Sequence, residues 1–373
     1  MKPASITDYR ALAKARLPHF LFEYIDGGSY DEVTLERNVA DLRAIALRQR
    51  VLRDVSAIET STELFGRRWA LPVGLGPVGL AGIYARRGEV QAARAAGAAE
   101  IPFVLSTVSA CSLAEVSAGA GVPWFQLYFV KDRGFVADLI ARAREAKCGA
   151  LVLTVDLAVP GSRYRDARAA GGGLKRWSQL LARPGWLWDV GIKGRPHSLG
   201  NLAPILGRTA PLSDFQAWIH ANFDPSVGWK EVEWVRRQWP GPLVIKGVLD
   251  PEDARSALGC GAEGLVVSNH GGRQLDGVQS SARALPAIAD AVAGKMKLLA
   301  DGGVRSGLDV VRMLSLGADF VLLGRAWAYA LAGGGQTGVA HILKLIEAEM
   351  RVAMALTGVT SIVQVNSSVI DRA

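Results

Sequence analysis

The chain turns on one stretch, Gly264-Leu265-Val266-Val267-Ser268-Asn269-His270-Gly271-Gly272-Arg273-Gln274-Leu275-Asp276. It opens as a short apolar run with adjacent valines, the pattern of a fully buried strand in a parallel sheet. It then becomes polar abruptly, which sets an imidazole (His270) and a guanidinium (Arg273) at the C-terminal mouth of that strand. In an α/β barrel the chemistry sits at that mouth. His270 can take a proton near neutral pH, and Arg273 can clamp a carboxylate bidentately. The two glycines between them remove side-chain bulk and permit unusual backbone angles. The plainer reading is a hydrogen-bonded loop histidine beside a solvated arginine. Strand context and the Gly-Gly spacing favour a site.

Outward from this stretch a rhythm is visible. Short apolar runs recur at residues 71–75, 103–105, 124–127, 151–155, 243–245, 265–267, 298–299 and 320–323. Ala-rich or amphipathic stretches lie between most of them, clearest at 86–99, 132–146, 251–258, 284–292 and 307–316. Eight strands alternating with helices predict an α/β fold, a parallel (β/α)8 TIM barrel rather than an open sheet. Residues 1–70 read as an N-terminal helical preamble, with Thr7 capping one helix and residues 20–25 forming another that ends at Asp26-Gly27-Gly28. Residues 71–335 read as the barrel, and 336–373 as a C-terminal helix (about 341–356) and tail, all within one domain.

Nearly every strand delivers a polar group to the same rim. Gly76-Pro77-Val78-Gly79 follows the first strand and Ser106-Thr107 the second; Gln126 and Tyr128 close the third, and Thr154 and Asp156 the fourth, with Arg163 just beyond. Lys246 ends the fifth, Ser268, His270 and Arg273 the sixth, Asp301-Gly302-Gly303-Val304-Arg305 the seventh and Gly324-Arg325 the eighth. That is the pattern of an active site with a polar cofactor. In the last two loops glycine and arginine stand where a strand gives way to a helix, so backbone N–H groups and a helix N-terminus offer an anion site. Turn geometry alone explains the glycines; two similarly placed arginines favour phosphate. Lys246 ends a buried strand and must be paired, neutralised or functional. Schiff-base aldolases place lysine similarly, so covalent amine catalysis competes with a lysine that balances an anionic cofactor. The anion loops and His270 favour the second.

The bulk properties narrow the field. The chain has 373 residues, half of them hydrophobic, enough for a large core. Cys111, Cys148 and Cys260 show neither metal spacing nor a paired framework, so no metal is expected and a reducing compartment fits. The N-terminal residues lack a signal-peptide core, and no run reaches the ~18 apolar residues of a spanning helix. The net charge of +8 is uneven: Arg163 to Arg208 holds nine Lys/Arg against Asp166 and Asp189. Within that segment an insertion at about 168–215 carries Trp177, Trp186 and Trp188, and a helix is expected at 230–239. Basic residues interleaved with tryptophan suit an anionic membrane surface. A solvated insertion is the bland alternative, and the absence of a recognisable motif puts nucleic acid last.

Together these residues resemble the FMN-dependent L-2-hydroxy-acid dehydrogenases and oxidases, which include L-lactate dehydrogenase, mandelate dehydrogenase and glycolate oxidase. The resemblance spans almost the whole chain. It rests on 268–276, Tyr24-Ile25-Asp26-Gly27-Gly28, Phe125-Gln126-Leu127-Tyr128, Thr154-Val155-Asp156 and Asp301-Gly302-Gly303-Val304-Arg305. Residues 160–167, 222–226 and 280–288 resemble the bacterial respiratory L-lactate-oxidising branch in particular.

The resemblance implies FMN as cofactor and a role for each residue. His270 would be the base and Asp156 would stabilise its charged form. Arg273, Arg163 and Tyr24 would hold the substrate carboxylate and Tyr128 the oxygen on C2. Lys246 would sit near N1–C2=O of the flavin; Gln126, Thr154 and Ser106 would bond its ring; Pro77, Val78 and Gly79 would line it. Asp301, Gly303, Arg305, Gly324 and Arg325 would bind the ribityl and phosphate portion, with Ser268 and Gly302 also about the cofactor. Gly79 stands where oxidase members often carry alanine, and Val108 where glycolate oxidase carries tryptophan. The basic insertion is similar to the segment that anchors the dehydrogenases to the cytoplasmic face of the inner membrane, which makes a membrane quinone the implied acceptor in place of dioxygen. A homotetramer is implied too. Mandelate or another 2-hydroxy acid is the substrate alternative; a flavin-binding scaffold without activity is disfavoured, because buried charges cost desolvation that a scaffold has no need to meet.

Overall fold

The computed structural model describes residues 3–170, 173–195, 197–206, 218 and 221–371. The predicted barrel is present. Its strands are β3 (Val73–Leu75), β4 (Val104–Ser106), β5 (Trp124–Tyr128), β6 (Leu151–Thr154), β7 (Leu243–Val248), β8 (Gly264–Val267), β9 (Lys297–Ala300) and β10 (Phe320–Leu323). All are paired in parallel in the order β3-β10-β9-β8-β7-β6-β5-β4. A parallel bridge from Leu75 to Phe103 brings the ends of the sheet together.

Alternation along these short strands sorts the core into two sets. Val104, Val152, Val244, Val266 and Leu299 point into the barrel and pack with one another. Leu105, Leu151, Leu153, Ile245, Leu265 and Val267 point outward under the helices. Both sets are buried, so the strands read as continuous apolar runs.

The floor of the barrel was not foreseen. Within the expected helical preamble, β1 (Thr62–Leu64) and β2 (Arg67–Trp69) form an antiparallel hairpin. Its two-residue loop, Phe65-Gly66, has φ of 53° and 71°, the left-handed pair that suits a tight hairpin twist. Leu64, Phe65 and Trp69 join the inner cluster and close the N-terminal end of the barrel. The mixed polarity of Thr-Glu-Leu and Arg-Arg-Trp hides these strands, since only one side chain of each is buried.

The first helix, α1 (Ile6–Arg16), is capped by Ser5 rather than Thr7. The Ser5 hydroxyl accepts from the Asp8 N–H and the Asp8 carboxylate accepts from the Ser5 N–H. Next come α2 (His19–Asp26) and α3 (Val33–Ala44). Helix α1 packs along the C-terminal helix Arg325–Thr357, where the Tyr9 hydroxyl meets His341 Nδ1 at 3.0 Å. That long helix begins directly at β10 and its backbone breaks at Gly335 (φ 60°).

Around the barrel lie α4 (Gly88–Ala98), α5 (Leu113–Ala120), α6 (Arg133–Glu145), and the helices Pro251–Gly259, Ser281–Val292 and Gly307–Ser315. Helix α5 was missed because its Ala/Ser/Gly composition has little apolar periodicity. The helix Ser281–Val292 starts earlier than its apolar pattern, because Ser280 caps it by accepting from the Arg283 N–H at 3.2 Å.

The insertion between β6 and β7 holds α7 (Tyr164–Ala170), α8 (Gly173–Leu181), a π-helical turn Leu187–Ile192 and the helix Trp229–Gln238. Parts of the insertion expected at 168–215, namely residues 171, 172, 196 and 207–215, lie outside the described residues.

Fully buried Ser280 also donates to Asp41 Oδ2 at 2.6 Å, so one hydroxyl both starts a barrel helix and ties it to α3. Ser280→Ala is expected to lower stability by about 1–2 kcal/mol, measured as a fall in the urea midpoint at unchanged slope.

Candidate active site

Four adjacent strands, β6 to β9, bring the first cluster together. Lys246 ends the regular part of β7, where the register to β8 shifts between Lys246 and Val248. The shift is centred on Gly247, at φ 108°; a Cβ there would lie 2.5 Å from the Asp156 carboxyl carbon. Only glycine lets the β6 carboxylate approach so closely. Beyond β8 the chain enters the left-handed region at His270, φ 58°, uncommon outside glycine. The result is a linked set of side chains. His270 Nδ1 is 2.9 Å from Asp156 Oδ1, Lys246 Nζ is 3.0 Å from Asp301 Oδ2, and Lys246 donates to Ser268 Oγ at 2.7 Å. Ser268 is fully buried, and its oxygen also accepts from the His270 N–H.

The charges in this set hold one another. Burial pushes the Asp156 pKa up, but the neighbouring His270 and Lys246 outweigh it and keep the carboxyl below its usual value. Burial pulls the Lys246 pKa down, but Asp301 and Asp156 outweigh it and keep the ammonium above its usual value. Held by Asp301 and Ser268, Lys246 is placed as a fixed cation, whereas the aldolase alternative needs a free amine.

The second cluster forms where α2 ends over the barrel mouth. Arg273 donates to the carbonyls of Tyr24 (2.7 Å) and Gly27 (2.8 Å). Two guanidiniums stack on the Tyr24 ring, with Arg273 Cζ 5.0 Å and Arg163 Cζ 5.2 Å from its centroid. Burial and the nearby Arg163 lower the Arg273 pKa, a sign of crowded positive charge. Asp166 supplies part of the countercharge, 3.2 Å from Arg163 Nε. Tyr128 is buried at the end of β5, its hydroxyl pKa raised by burial, Asp156 and Tyr24.

A third set of groups lies across β3 to β6 and the last two loops. Ser106 donates to Gln126 Oε1 at 2.9 Å, while Gln126 Nε2, Thr154 Oγ1 and Asp301 Oδ1 are buried with no partner among the described residues. Gly302 and Gly303 have φ of 93° and 82°. Arg325 differs from an expected free anion ligand. Its guanidinium donates to the carbonyls of Ile25 (3.0 Å), Gly271 (2.8 Å) and Gly27 (2.7 Å). Burial and the neighbouring Arg273 lower its pKa to about 9, so the charge is held but not neutralised. A second N–H on each terminal nitrogen remains for a ligand.

One cavity unites most of these residues. Tyr24, Pro77, Val78, Gly79, Tyr128, Thr154, Arg163, Lys246, His270, Arg273, Asp301, Gly302, Gly303, Arg305, Gly324 and Arg325 all line it. Ser106, Gln126, Asp156 and Ser268 stand behind that lining, joined to it by the bonds above or, for Gln126, by a strand pairing with β6.

Comparison with known proteins gives the family. Residues 13–372 match the model of the FMN-dependent dehydrogenase family. The chain belongs to that family. It is 62% identical to an L-lactate dehydrogenase of Caulobacter sp. (strain K31) over 99% of this chain and 98% of that protein. It is 61% identical to an L-lactate dehydrogenase of Xanthomonas oryzae pv. oryzae (strain PXO99A), over 99% and 96%. Among solved structures it is similar to the monotopic membrane protein (S)-mandelate dehydrogenase, with a TM-score of 0.95, 34% identity and all of both chains covered.

This FMN-dependent dehydrogenase has the donor set for its cofactor. The amide nitrogen of Gln126, the hydroxyl of Thr154 and the second oxygen of Asp301, without partners among the described residues, are polar groups that burial penalises unless a ligand meets them. Positive-φ glycines and two arginines at the mouths of β9 and β10 suit a phosphate.

Several lining residues of the dehydrogenase were not singled out from sequence. Tyr84 and Leu157 line the cavity, and Phe223 packs on Tyr128 with centroids 5.2 Å apart. Gln274 donates to the carbonyls of Asp156 and Val159 and accepts from the Gly161 N–H, stapling the loop after β6 to the loop after β8. Phe223 and Gln274 sit within motifs already noted, and nothing local marks Tyr84. A Cβ at Gly303 would lie 2.1 Å from the Asn38 carbonyl oxygen on α3. Gly303→Ala therefore must shift the loop or the helix, and the purified variant is expected to lose most of its FMN, read as the ratio of flavin to protein absorbance.

Proposed function

We propose that this FMN-dependent dehydrogenase oxidises L-lactate to pyruvate. The observation that carries the reading is that His270, paired with Asp156, and the Tyr24/Arg163/Arg273 cluster line one cavity. The 61–62% identity to enzymes named L-lactate dehydrogenase supports lactate as the substrate.

The residues divide the work. Two guanidiniums and the Tyr24 hydroxyl hold the carboxylate of the hydroxy acid, and an anion there relieves the repulsion between Arg163 and Arg273. The Tyr128 hydroxyl is placed for the oxygen on C2. His270 has its Nδ1 occupied by Asp156, which leaves Nε2 to take the substrate proton. Asp156 stays ionised and stabilises the imidazolium that results. FMN, when bound, accepts the electron pair. Gln126, Thr154, Ser106 and the 77–79 backbone hold its ring, and Lys246 sets a positive charge beside it. Asp301, Gly302, Gly303, Arg305, Gly324 and Arg325 hold the ribityl and phosphate portion, and Ser268 fixes Lys246.

The deciding experiment is an anaerobic visible spectrum of the purified protein before and after L-lactate. Bleaching of the flavin band is expected. A band that L-lactate leaves untouched and L-mandelate bleaches would move the substrate to mandelate. His270→Gln should retain the yellow colour and slow this reduction by about 10²–10⁴-fold; near-normal reduction would remove His270 from its role.

A membrane quinone is the proposed acceptor, with the enzyme lying on an anionic membrane surface. No helix among the described residues is long and apolar enough to cross a membrane. Instead, α8 turns Leu174, Trp177 and Leu181 to solvent at 88%, 60% and 66% exposure, followed by exposed Trp188 and Ile192. Spacing of three and four puts the first three on one helical face, and such a stripe amid basic residues suits the interface of a bilayer. Other parts of the insertion belong to the barrel: Asn201 is fully buried and holds the Leu113 N–H and the Ser106 carbonyl. Excising the whole segment would therefore damage the site. The combined substitutions Leu174→Gln, Trp177→Gln, Leu181→Gln and Trp188→Gln are expected to release the protein from sedimenting anionic vesicles while dye-linked lactate oxidation persists. Undiminished sedimentation would refute the anchoring role. The proposed tetramer rests on the family likeness.

A further inference from the structure

We propose that Arg165 is a positioning residue for the substrate site, a clamp that fixes Tyr24 against Arg163; this rests on the carboxylate-binding role proposed for those two residues. Arg165 is not among the residues lining the cavity. It lies on α7, two residues beyond Arg163, and its guanidinium reaches three carboxylates. Nε bonds Glu23, Nη2 bonds Asp26 Oδ2 at 2.8 Å, and Nη1 bonds Glu32 Oε1 at 3.3 Å. Glu23 and Asp26 flank Tyr24 on α2, so the clamp grips the turn that carries the ring. Glu32 accepts from the Gly28 N–H at 2.6 Å, which extends the grip past the end of the helix.

The carboxylate at the centre is itself fixed from two other directions. Asp26 is buried, and its oxygens receive Arg10 from α1 (Nη2, 2.8 Å) and the Tyr329 hydroxyl from the C-terminal helix (2.7 Å). These elements anchor α2 to the body of the protein. Arg165 links that anchored turn to α7. A backbone bond, Tyr30 N–H to the Ser162 carbonyl at 2.8 Å, runs alongside it.

The consequence follows from geometry. Tyr24 and Arg163 approach the cavity from different elements, and their stacking distance of 5.2 Å is set by how α2 and α7 meet. A planar guanidinium that forks to several carboxylates fixes an orientation, which a lysine ammonium does not. A displacement near 1 Å at a positioning contact is enough to cost about 10²-fold in kcat/KM. Since a carboxylate clamp acts equally on bound substrate and transition state, the loss belongs in KM and not in kcat.

The test compares Arg165→Met with the wild-type holoenzyme, flavin content serving as the check of folding. The expected result is a KM for L-lactate raised by about 10²-fold, with kcat changed little. The dissociation constant of pyruvate, read from its perturbation of the flavin band, should rise in parallel. Arg165→Lys should recover part of the loss. Combining Arg165→Met with Tyr24→Phe should cost less than the sum of the two, as expected for residues that act through one contact. A wild-type KM and pyruvate affinity in a flavin-replete Arg165→Met protein would overturn the proposal, as would full additivity with Tyr24→Phe. If Arg165→Met does not load FMN, Glu23→Gln gives the same comparison from the other side of the ion pair. The carboxylate-binding reading fails separately, if Tyr24→Phe and Arg163→Met leave KM and pyruvate affinity unchanged.

Discussion

Two guanidiniums on the backbone carbonyls of one short helix hold the site together. Arg273, from the loop after β8, and Arg325, at the end of β10, both donate to the Gly27 carbonyl, and between them take the carbonyls of Tyr24 and Ile25 as well. Those are the groups a helix leaves unsatisfied at its C-terminus. The same end carries the negative pole of the helix, so cations are favoured there. One interaction thus satisfies the end of α2, docks the preamble onto the barrel mouth and places Tyr24 over the cavity. Without it, two half-buried arginines would lose most of their hydrogen bonds and Tyr24 would have no fixed place among the rim residues.

That arrangement leaves a surplus of positive charge, and the surplus is informative. Lys246 is balanced by Asp301 and His270 is paired with Asp156. Arg163, Arg273, Arg305 and Arg325 face the same cavity, with Asp166 beside Arg163. Burial among like charges pushes both Arg273 and Arg325 below the ordinary arginine value. A half-buried cation cluster of this kind costs desolvation unless anions complete it. A cofactor phosphate and a substrate carboxylate are the anions that the proposed function brings to this cluster. The balanced Lys246–Asp301 pair lines the same cavity, and Lys246 is paired in register with Thr154 on the neighbouring strand.

The insertion after β6 serves two masters. Its α7 and the loop before it supply Arg163 and Arg165 to the site, and buried Asn201 braces the loop after β4. Between these anchored parts, α8 turns an apolar stripe outward. Trp186 shows the boundary: its indole is buried and donates to the Ile83 carbonyl, whereas Trp177 and Trp188, in the same basic run, are exposed.

By itself the sequence determined the barrel and most of its rim. Eight apolar runs, most of them ending in a polar residue, can form strands only if both faces are covered, and the side-chain period of two then fixes which end residues reach the mouth. His270, Arg273, Lys246, Asp156 and the glycine–arginine loops were legible because each follows a run too apolar to sit anywhere but a core. The tertiary structure alone decided the rest. The β1–β2 hairpin is too polar to announce itself. Ser5 displaced Thr7 as the first cap, because a cap depends on which residue leaves the helical angles and not on residue type alone. Arg325 spends three donors on α2 carbonyls, Tyr84 and Phe223 join the cavity, and Arg165 reaches three carboxylates 133 to 142 residues away. Such contacts join elements far apart in the chain. Local pattern cannot report them, because the strength of each depends on how helices and loops are packed against the barrel and not on any periodicity within them.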